Sequence, residues 1–115
     1  MDDETSILEI QSVFLKRLGI SATLVESVEK AIEFVEKQKP DLIICDIHLK
    51  GQMDGFGFFH WLETHRPELV RHFIFISGDL VALRSTKMES THCPYLQKPF
   101  TFQQFKQCIL EEALA

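Results

Sequence analysis

Apolar residues recur along this chain in two patterns, one helical and one extended. Over residues 5–18 and 28–35 they return every three or four positions, which predicts two amphipathic helices. Residues 41–46, 73–77 and 94–97 are instead continuous runs that are mostly apolar. The first of these runs predicts a strand buried on both faces, which is typical of parallel sheets with helices on both sides, and the other two predict further strands.

Weaker patterns fill the rest of the chain. Residues 22–26 predict a further short strand, and residues 56–65 predict a helix with inward-facing aromatic side chains. The segment 80–91 starts with apolar residues but continues with polar ones. Thr101 and Gln104 have the spacing of a capping box, which predicts the start of a last helix. Strands that alternate with helices indicate an α/β fold built from parallel βαβ units with right-handed crossovers.

Residues with useful chemistry stand where the predicted strands end. Ligands of open α/β sheets collect at the carboxyl ends of the strands, so these residues should meet at one edge. Carboxylates, a hydroxyl and an amine at that edge favour a cation-dependent phosphoryl site. The residues are Asp46, Ser77, Lys98 and the acids of Asp2-Asp3-Glu4.

Five segments together carry a family resemblance that covers nearly the whole chain. They are Asp2-Asp3-Glu4, Pro40-Asp41-Leu42-Ile43-Ile44-Cys45-Asp46, Met53-Asp54-Gly55-Phe56, Ile76-Ser77-Gly78 and Lys98-Pro99-Phe100. In this order and spacing they resemble the receiver domain of two-component response regulators, including those of hybrid sensor kinases. The resemblance implies one domain over residues 1–115, with a flavodoxin-like, doubly wound parallel sheet in three layers.

The resemblance also implies a role for each site residue. Asp46 matches the phosphoryl acceptor, and Lys98 matches the lysine that stabilises charge on the phosphoryl oxygens. Asp2 and Asp3 match the acidic pair that holds Mg²⁺ beside the acceptor, with Asp3 expected to be the direct ligand. Asp46 itself and the backbone carbonyl of His48 would complete the protein ligands.

Two further pairs would control the signal. Ser77 and Tyr95 match the switch pair of the family, in which phosphorylation draws the hydroxyl inward and the aromatic ring follows. His48 and Asp79 occupy positions that influence how long the phosphoryl group survives, so we expect them to tune dephosphorylation. The loop of residues 49–55 is one residue longer than the family pattern and lacks its proline.

One element of the family pattern is missing from the sequence. Receivers begin with a hydrophobic strand that lies centrally, between the strands that match 22–26 and 41–46, and Met1 stands where that strand should end. A vacant central position would span about two strand spacings, roughly 9–10 Å. The chain could be truncated, another chain could fill the gap, or 22–26 could pair directly with 41–46. Because unpaired backbone groups are costly, we expect rearrangement or a strand-exchanged homodimer.

Bulk composition narrows the function classes. With 115 residues, of which 45% are hydrophobic and 25% charged, the chain is an ordinary globular domain. The net charge of −5 gives no basis for nucleic-acid binding by this domain. No apolar stretch approaches the roughly 20 residues of a membrane span, and no secretory signal is present. The three widely spaced cysteines indicate a reducing compartment, so we expect a cytoplasmic location.

The leading hypothesis is a phosphorylation-controlled signalling domain rather than an enzyme. Its partner would be a histidine kinase or a histidine phosphotransfer protein, and its own chemistry would be limited to self-phosphorylation from small donors and self-dephosphorylation. One alternative is a pseudo-receiver that binds partners without phosphorylation. Another is a Mg²⁺-dependent phosphohydrolase of the haloacid-dehalogenase kind. That class places a second acid two residues after the nucleophile, where this chain has His48.

Overall fold

Three short parallel strands form the sheet in the computed structural model, which describes residues 1–2, 4–49, 51 and 53–114. They are β1 (Ile43–Asp46), β2 (Phe73–Ser77) and β3 (Tyr95–Gln97), and they lie in the order β1-β2-β3. Their positions confirm the three strands predicted from the continuous apolar runs. All three run in the same direction, so Asp46 and Ser77 end their strands at the same edge of the sheet.

Helices cover both faces of this sheet. They are α1 (Thr5–Arg17), α2 (Val28–Lys37), α3 (Gly55–His65), a 3₁₀ helix (Pro67–His72), α4 (Leu80–Leu83), α5 (Thr86–Thr91) and α6 (Phe102–Leu114). Helices α1 and α6 pack on one face, while α2, α3, α4 and α5 contribute to the core on the other. This arrangement confirms the predicted α/β fold. None of the described helices is long and apolar enough to cross a membrane.

The central strand β2 organises both halves of the core. All of its residues are buried, and alternate side chains point to opposite faces. Ile74 packs with Leu15 and Phe105 on one face, whereas Phe73 and Phe75 pack with α3 aromatics on the other. Full burial of an apolar side chain of this size stabilises the fold by about 1.5–3 kcal/mol. The packing of this strand on both faces therefore fixes the position of residues at its carboxyl end.

Side-chain caps fix where two of the helices begin. Ser27 Oγ accepts a hydrogen bond from the Lys30 amide at 3.2 Å at the start of α2. The predicted capping box of α6 is confirmed, since Thr101 Oγ1 accepts from the Gln104 amide at 3.1 Å and Gln104 Oε1 accepts from the Thr101 amide at 2.9 Å. Each such cap stabilises its helix by about 0.5–2 kcal/mol.

The prediction of a strand over residues 22–26 is wrong. Those residues have no assigned strand structure, and the sheet within the described part of the chain ends at β1. A strand needs a series of backbone hydrogen bonds to a neighbouring strand. In the described part of the chain, residues 22–26 have one backbone hydrogen bond, from the Asp2 amide to the Val25 carbonyl, at 3.3 Å. Direct pairing of 22–26 with β1 is therefore excluded as well.

Met1 and Asp2 lie between Val25 and β1. The Asp46 amide donates to the Met1 carbonyl at 2.9 Å, and the Met1 amino group donates to the Ile44 carbonyl. These two bonds bracket Cys45, as in a parallel pair of strands. The prediction that the first strand is missing is thus not confirmed as stated, because Met1 and Asp2 occupy the place where the carboxyl end of that strand would lie.

Candidate functional site

One amine and three carboxylates converge at the carboxyl edge of the sheet. Lys98 Nζ lies 2.8 Å from Asp46 Oδ2, 2.9 Å from Asp2 Oδ2 and 3.7 Å from Glu4 Oε1. The lysine follows β3 directly, and its amide donates to the Ser77 carbonyl at 2.8 Å, which ties it to the end of β2. The bond between Lys98 and Pro99 is cis. The predicted acceptor, lysine and first acid are therefore brought together.

Asp46 is held in a buried and strongly polar setting. It is the last residue of β1 and only 4% exposed, and its Oδ1 accepts a hydrogen bond from the His48 amide at 3.2 Å. Burial raises the pKa of the Asp46 carboxyl, and the negative charge of Asp2 adds to this rise. Hydrogen bonds from Lys98 and from the His48 amide act in the opposite direction.

The same ion pairs act on Lys98. Burial alone would lower the pKa of the Lys98 amine, but its hydrogen bonds to Asp46 and Asp2 outweigh burial, and the pKa lies above its ordinary value. The amine thus stays protonated at neutral pH. A fixed positive charge beside a carboxylate is what a site needs to absorb charge that develops on phosphoryl oxygens.

Asp2 is fully buried, at 0% exposure, although it stands next to the end of the chain. Its amide donates to Val25, and its Oδ1 accepts a hydrogen bond from the Glu4 amide at 3.0 Å. The latter bond forms a tight turn just before α1. This turn directs Glu4 toward the same cluster, so α1 begins at the site.

The oxygen atoms of Asp2, Glu4 and Asp46 form a candidate cation site. One carboxylate oxygen from each lies within 4.8 Å of the others. Carboxylate oxygens are the ligands that Mg²⁺ prefers, so the donor set fits this ion. Glu4 was not among the ligands expected from the sequence, although it stands in the acidic run that drew attention to the site. Asp3, the expected direct ligand, lies outside the described residues.

His48 and Asp79 form a contact between the loops that follow β1 and β2. His48 Nε2 lies 2.8 Å from Asp79 Oδ2; the His48 side chain is largely exposed and that of Asp79 is partly exposed. Hydrogen bonding to His48 lowers the pKa of Asp79, and a bond from the Ala82 amide, at the start of α4, acts in the same direction. The two residues expected to tune dephosphorylation are thus direct partners, which their 31-residue separation did not predict.

The expected switch residues differ in their environments. Ser77 is buried at the end of β2, and its Oγ accepts a hydrogen bond from the Asp79 amide at 3.0 Å. Tyr95 is 46% exposed and stands opposite Phe75 in the β2–β3 register. In this structure the hydroxyl of Ser77 is therefore engaged with its own loop, and the Tyr95 ring is at the surface.

Gly55 is a site-forming residue whose role the sequence did not reveal. It starts α3, and its amide donates to the Ile47 carbonyl at 2.7 Å. A Cβ atom at this position would lie 2.2 Å from the Asp46 carbonyl oxygen and 2.8 Å from Ile47 Cα. Only glycine allows α3 to approach the backbone of Asp46 so closely.

Comparison with known sequences points to one family. The sequence profile of the response regulator receiver domain matches residues 1–110. The transcriptional regulatory protein ZraR of Escherichia coli K12 is 29% identical over 115 residues, which are 100% of this chain and 25% of that protein. The DNA-binding transcriptional regulator NtrC of Klebsiella pneumoniae is 29% identical over 100 residues, or 87% of this chain and 21% of that protein. The chain thus spans about a quarter of the length of these relatives.

Solved structures share the fold. A response regulator from Chloroflexus aurantiacus superposes with a TM-score of 0.88 at 24% identity, covering 100% of this chain and 94% of that one. The receiver domain of NtrX from Brucella abortus gives 0.85 at 23% identity, with 98% and 93% covered. The receiver domain of the sensor histidine kinase PA1611 from Pseudomonas aeruginosa, solved with a magnesium ion coordinated in its active-site cleft, gives 0.87 at 21% identity, with 100% and 94% covered.

Proposed function

The chain belongs to the family of response regulator receiver domains, and we propose that it accepts a phosphoryl group from a phosphohistidine onto Asp46. The observation that carries the proposal is the ion pair of Asp46 with Lys98, at 2.8 Å, in a cluster that also holds Asp2. The donor would be a histidine kinase or a histidine phosphotransfer protein. The proposed unit is a single domain over residues 1–115, and a cytoplasmic location remains a prediction from cysteine spacing.

The proposed step is a displacement at phosphorus. A carboxylate oxygen of Asp46 forms a new P–O bond while the P–N bond to the partner's imidazole breaks. The leaving imidazole nitrogen keeps the electron pair of that bond and takes up a proton from solvent. Lys98 already faces Asp46 Oδ2 as an ammonium, so it can follow the phosphoryl oxygens and stabilise their charge without moving far. Burial of Asp46 keeps bulk water away from the acyl phosphate that forms.

Mg²⁺ is the cation that we propose for the cluster. Asp2, Glu4 and Asp46 would hold it through carboxylate oxygens, and the family resemblance adds Asp3 and the backbone carbonyl of His48. When bound, the ion would neutralise carboxylate and phosphoryl charge at the same time. Until then, the three acids share the single positive charge of Lys98, which leaves the cluster with an excess of negative charge that favours a divalent cation.

Phosphorylation would be read out through Ser77. Its hydroxyl accepts from the Asp79 amide, so a turn of Ser77 toward a phosphoryl oxygen would release that amide and loosen the start of α4. Tyr95 would then move inward from its exposed position. The bridge between His48 and Asp79 ties the same loop to the end of β1, so we propose that it controls access of water and thereby the lifetime of the phosphoryl group.

The test is phosphorylation by a small donor. The protein is incubated with acetyl phosphate and Mg²⁺ and its intact mass is measured. We expect a gain of one phosphoryl group in the wild type and in Asp41→Asn, which changes an exposed acid of the same segment. Asp46→Asn should show no gain, and chelation of Mg²⁺ should suppress the gain in the wild type. A phosphoryl adduct that persists in Asp46→Asn contradicts the proposed acceptor, and an unmodified wild type favours a phosphorylation-independent interaction module.

A further inference from the structure

A cleft crosses the amino-terminal edge of the sheet, at the end opposite the phosphoryl site. One wall is residues 35–41, between α2 and β1, and the other is residues 66–72, between α3 and β2. The cleft consists of two adjoining cavities, of about 220 Å³ and about 330 Å³, which share Lys39, Glu68 and Leu69 as lining residues. We call it the basal cleft, and it contains none of the site residues described above.

Four basic side chains line the basal cleft. Lys37 and Arg66 belong to the smaller cavity, Arg71 belongs to the larger one, and Lys39 lines both. Among the residues that the structure describes, none of the four takes part in an ion pair. The chain as a whole has a net charge of −5, so a local group of four cations without acidic partners runs against its overall charge. Such a group indicates an anionic ligand.

Three acids in the same cleft decide the class of anion. Glu36, Asp41 and Glu68 stand between the basic residues along the two walls. A dense polyanion, such as polyphosphate or nucleic acid, would bring negative charge against these acids as well as against the cations. A peptide carries its carboxylates at intervals, and the amide groups between them can donate hydrogen bonds to acids. The alternation of charge therefore favours an acidic peptide.

The backbone and one of the basic side chains are already held in place. Arg66 Nη1 donates a hydrogen bond to the His65 carbonyl at 3.0 Å, and the Arg66 carbonyl accepts from the Leu69 amide at 3.0 Å. Pro67 restricts the backbone of this wall, and Pro40 restricts that of the other. Binding would therefore need little ordering of the walls, which lowers its entropic cost.

The floor of the basal cleft is apolar. Leu69 lines both cavities and is 5% exposed, and Val35 lines the smaller one and is 6% exposed. His72 also lines the larger cavity, but its Nδ1 lies 3.6 Å from Glu112 Oε1, so it already has an acidic neighbour on α6. Alternate residues of an extended peptide lie about 6.6 Å apart on one face, which is roughly the width of each cavity. An apolar residue flanked by acids at alternate positions fits this spacing.

We propose that the basal cleft binds an extended acidic segment of a partner protein. An apolar side chain of the segment would pack over Leu69, one carboxylate would pair with Lys37 and Arg66, and a second would pair with Arg71. Lys39, which lines both cavities, would contact either carboxylate. A partner bound here would leave the phosphoryl site open, and its binding does not require phosphorylation.

The test is an NMR titration of the isotopically labelled chain with the pentapeptide Glu-Gly-Leu-Gly-Glu, capped at both ends. The amide signals of Lys39 and Leu69 should shift together and saturate. The same peptide with glutamine in place of glutamate should bind at least about tenfold more weakly, because it cannot form the charge-assisted bonds. Tripolyphosphate is the third ligand and should bind more weakly than the acidic peptide. Equal affinity of the two peptides, no change at these amides, or tighter binding of tripolyphosphate overturns the proposal.

Variants locate the binding in the basal cleft. Arg71→Gln and Lys39→Gln change exposed residues, and each should weaken peptide binding by about threefold to fivefold. Arg84→Gln, at an exposed arginine that follows α4, is the matched control and should bind as the wild type does. Binding is measured without Mg²⁺ or a phosphodonor, so the result is independent of whether Asp46 accepts a phosphoryl group. Undiminished binding in Arg71→Gln and Lys39→Gln, or an equal loss in Arg84→Gln, overturns the proposal.

Discussion

Lys98 Nζ lies 2.8 Å from Asp46 Oδ2, and 52 residues separate the two in the chain. The distance is short because both residues stand at the carboxyl ends of strands that flank the buried β2. Asp2 Oδ2 reaches the same amine at 2.9 Å, so one cation serves two buried carboxylates. When no other cation is present, the carboxylates of the site therefore repel each other and destabilise the folded state. Substitutions of Asp46 and Lys98 test this repulsion.

Asp46→Asn should stabilise the folded protein at neutral pH in the absence of Mg²⁺. The pKa of Asp46 is raised mainly by burial, so its folded-state pKa exceeds the unfolded value of about 3.9. Such a group destabilises the fold above its folded-state pKa, and this effect disappears as pH falls through that value. The advantage of the variant should therefore shrink on acidification. Thermal melts over a pH series measure this, with about 4 °C expected per kcal/mol for a domain of this size. A lower melting temperature of the variant at pH 7 would contradict the argument.

Lys98→Met should destabilise the protein by about 3–5 kcal/mol, because it leaves buried carboxylates without their counter-charge. The exposed Lys87→Met is the control and should change stability by less than about 0.5 kcal/mol. Adding Asp46→Asn to Lys98→Met should restore part of the loss in a double-mutant cycle of urea denaturation. Since the pKa of Lys98 is raised on folding, the stabilisation should be complete below about pH 10 and lost at more alkaline pH. Additive effects of the two substitutions would rule out the coupling.

Gly55→Ala should destabilise the fold by about 1–3 kcal/mol or more, because the new methyl group would overlap backbone atoms of Asp46 and Ile47. Gly78→Ala is the matched control. Among the described residues, a Cβ atom there would meet the Lys98 side chain, at 3.9 Å, which is an ordinary contact. Chemical denaturation of both variants gives the comparison, and a Gly55→Ala protein as stable as Gly78→Ala would show that α3 shifts without loss.

His48→Ala should raise the pKa of Asp79 toward its ordinary value, because the bond to His48 is the main cause of the lowering. NMR titration of the Asp79 carboxyl measures the change. His60→Ala serves as the control, since His60 pairs with Glu63 on α3 and should leave Asp79 unaffected. If the bridge governs water access, His48→Ala should also change the rate at which the phosphoryl group is lost. An Asp79 pKa that is the same in wild type and His48→Ala would refute the bridge.

Cys45 should be the last cysteine to react with iodoacetamide under native conditions. It is fully buried, and burial raises the pKa of its thiol to about 12, whereas the pKa of the partly buried Cys93 is raised to about 11. The thiolate is the reactive form, so labelling of Cys45 requires unfolding. Mass mapping of labelled peptides against urea concentration should therefore place Cys45 labelling at the global transition. Labelling of Cys45 ahead of Cys93 in the native state would contradict the described burial.

The sequence located the elements whose signal is local. A continuous apolar run predicts a buried strand wherever it occurs, and the runs that became β1 and β2 were found in this way. The capping box of Thr101 and Gln104 could also be predicted from the sequence, because both partners lie within one turn of the helix. The prediction for residues 22–26 failed because the formation of a strand is not a local property. Their composition suits a strand, but a strand exists only if a neighbour supplies its hydrogen bonds, and within the described part of the chain these residues have one such bond, from Asp2.

By itself the sequence determined that Asp46 ends one strand and that Lys98 directly follows another, because the ends of strands follow from local patterns of apolar residues. Only the tertiary structure decided that Glu4 joins Asp2 at the amine of Lys98 and that His48 pairs with Asp79. These relationships depend on the order of the strands and on where α1 begins relative to the sheet. Distances between residues far apart in the chain are set by that packing, and no spacing along the sequence encodes them.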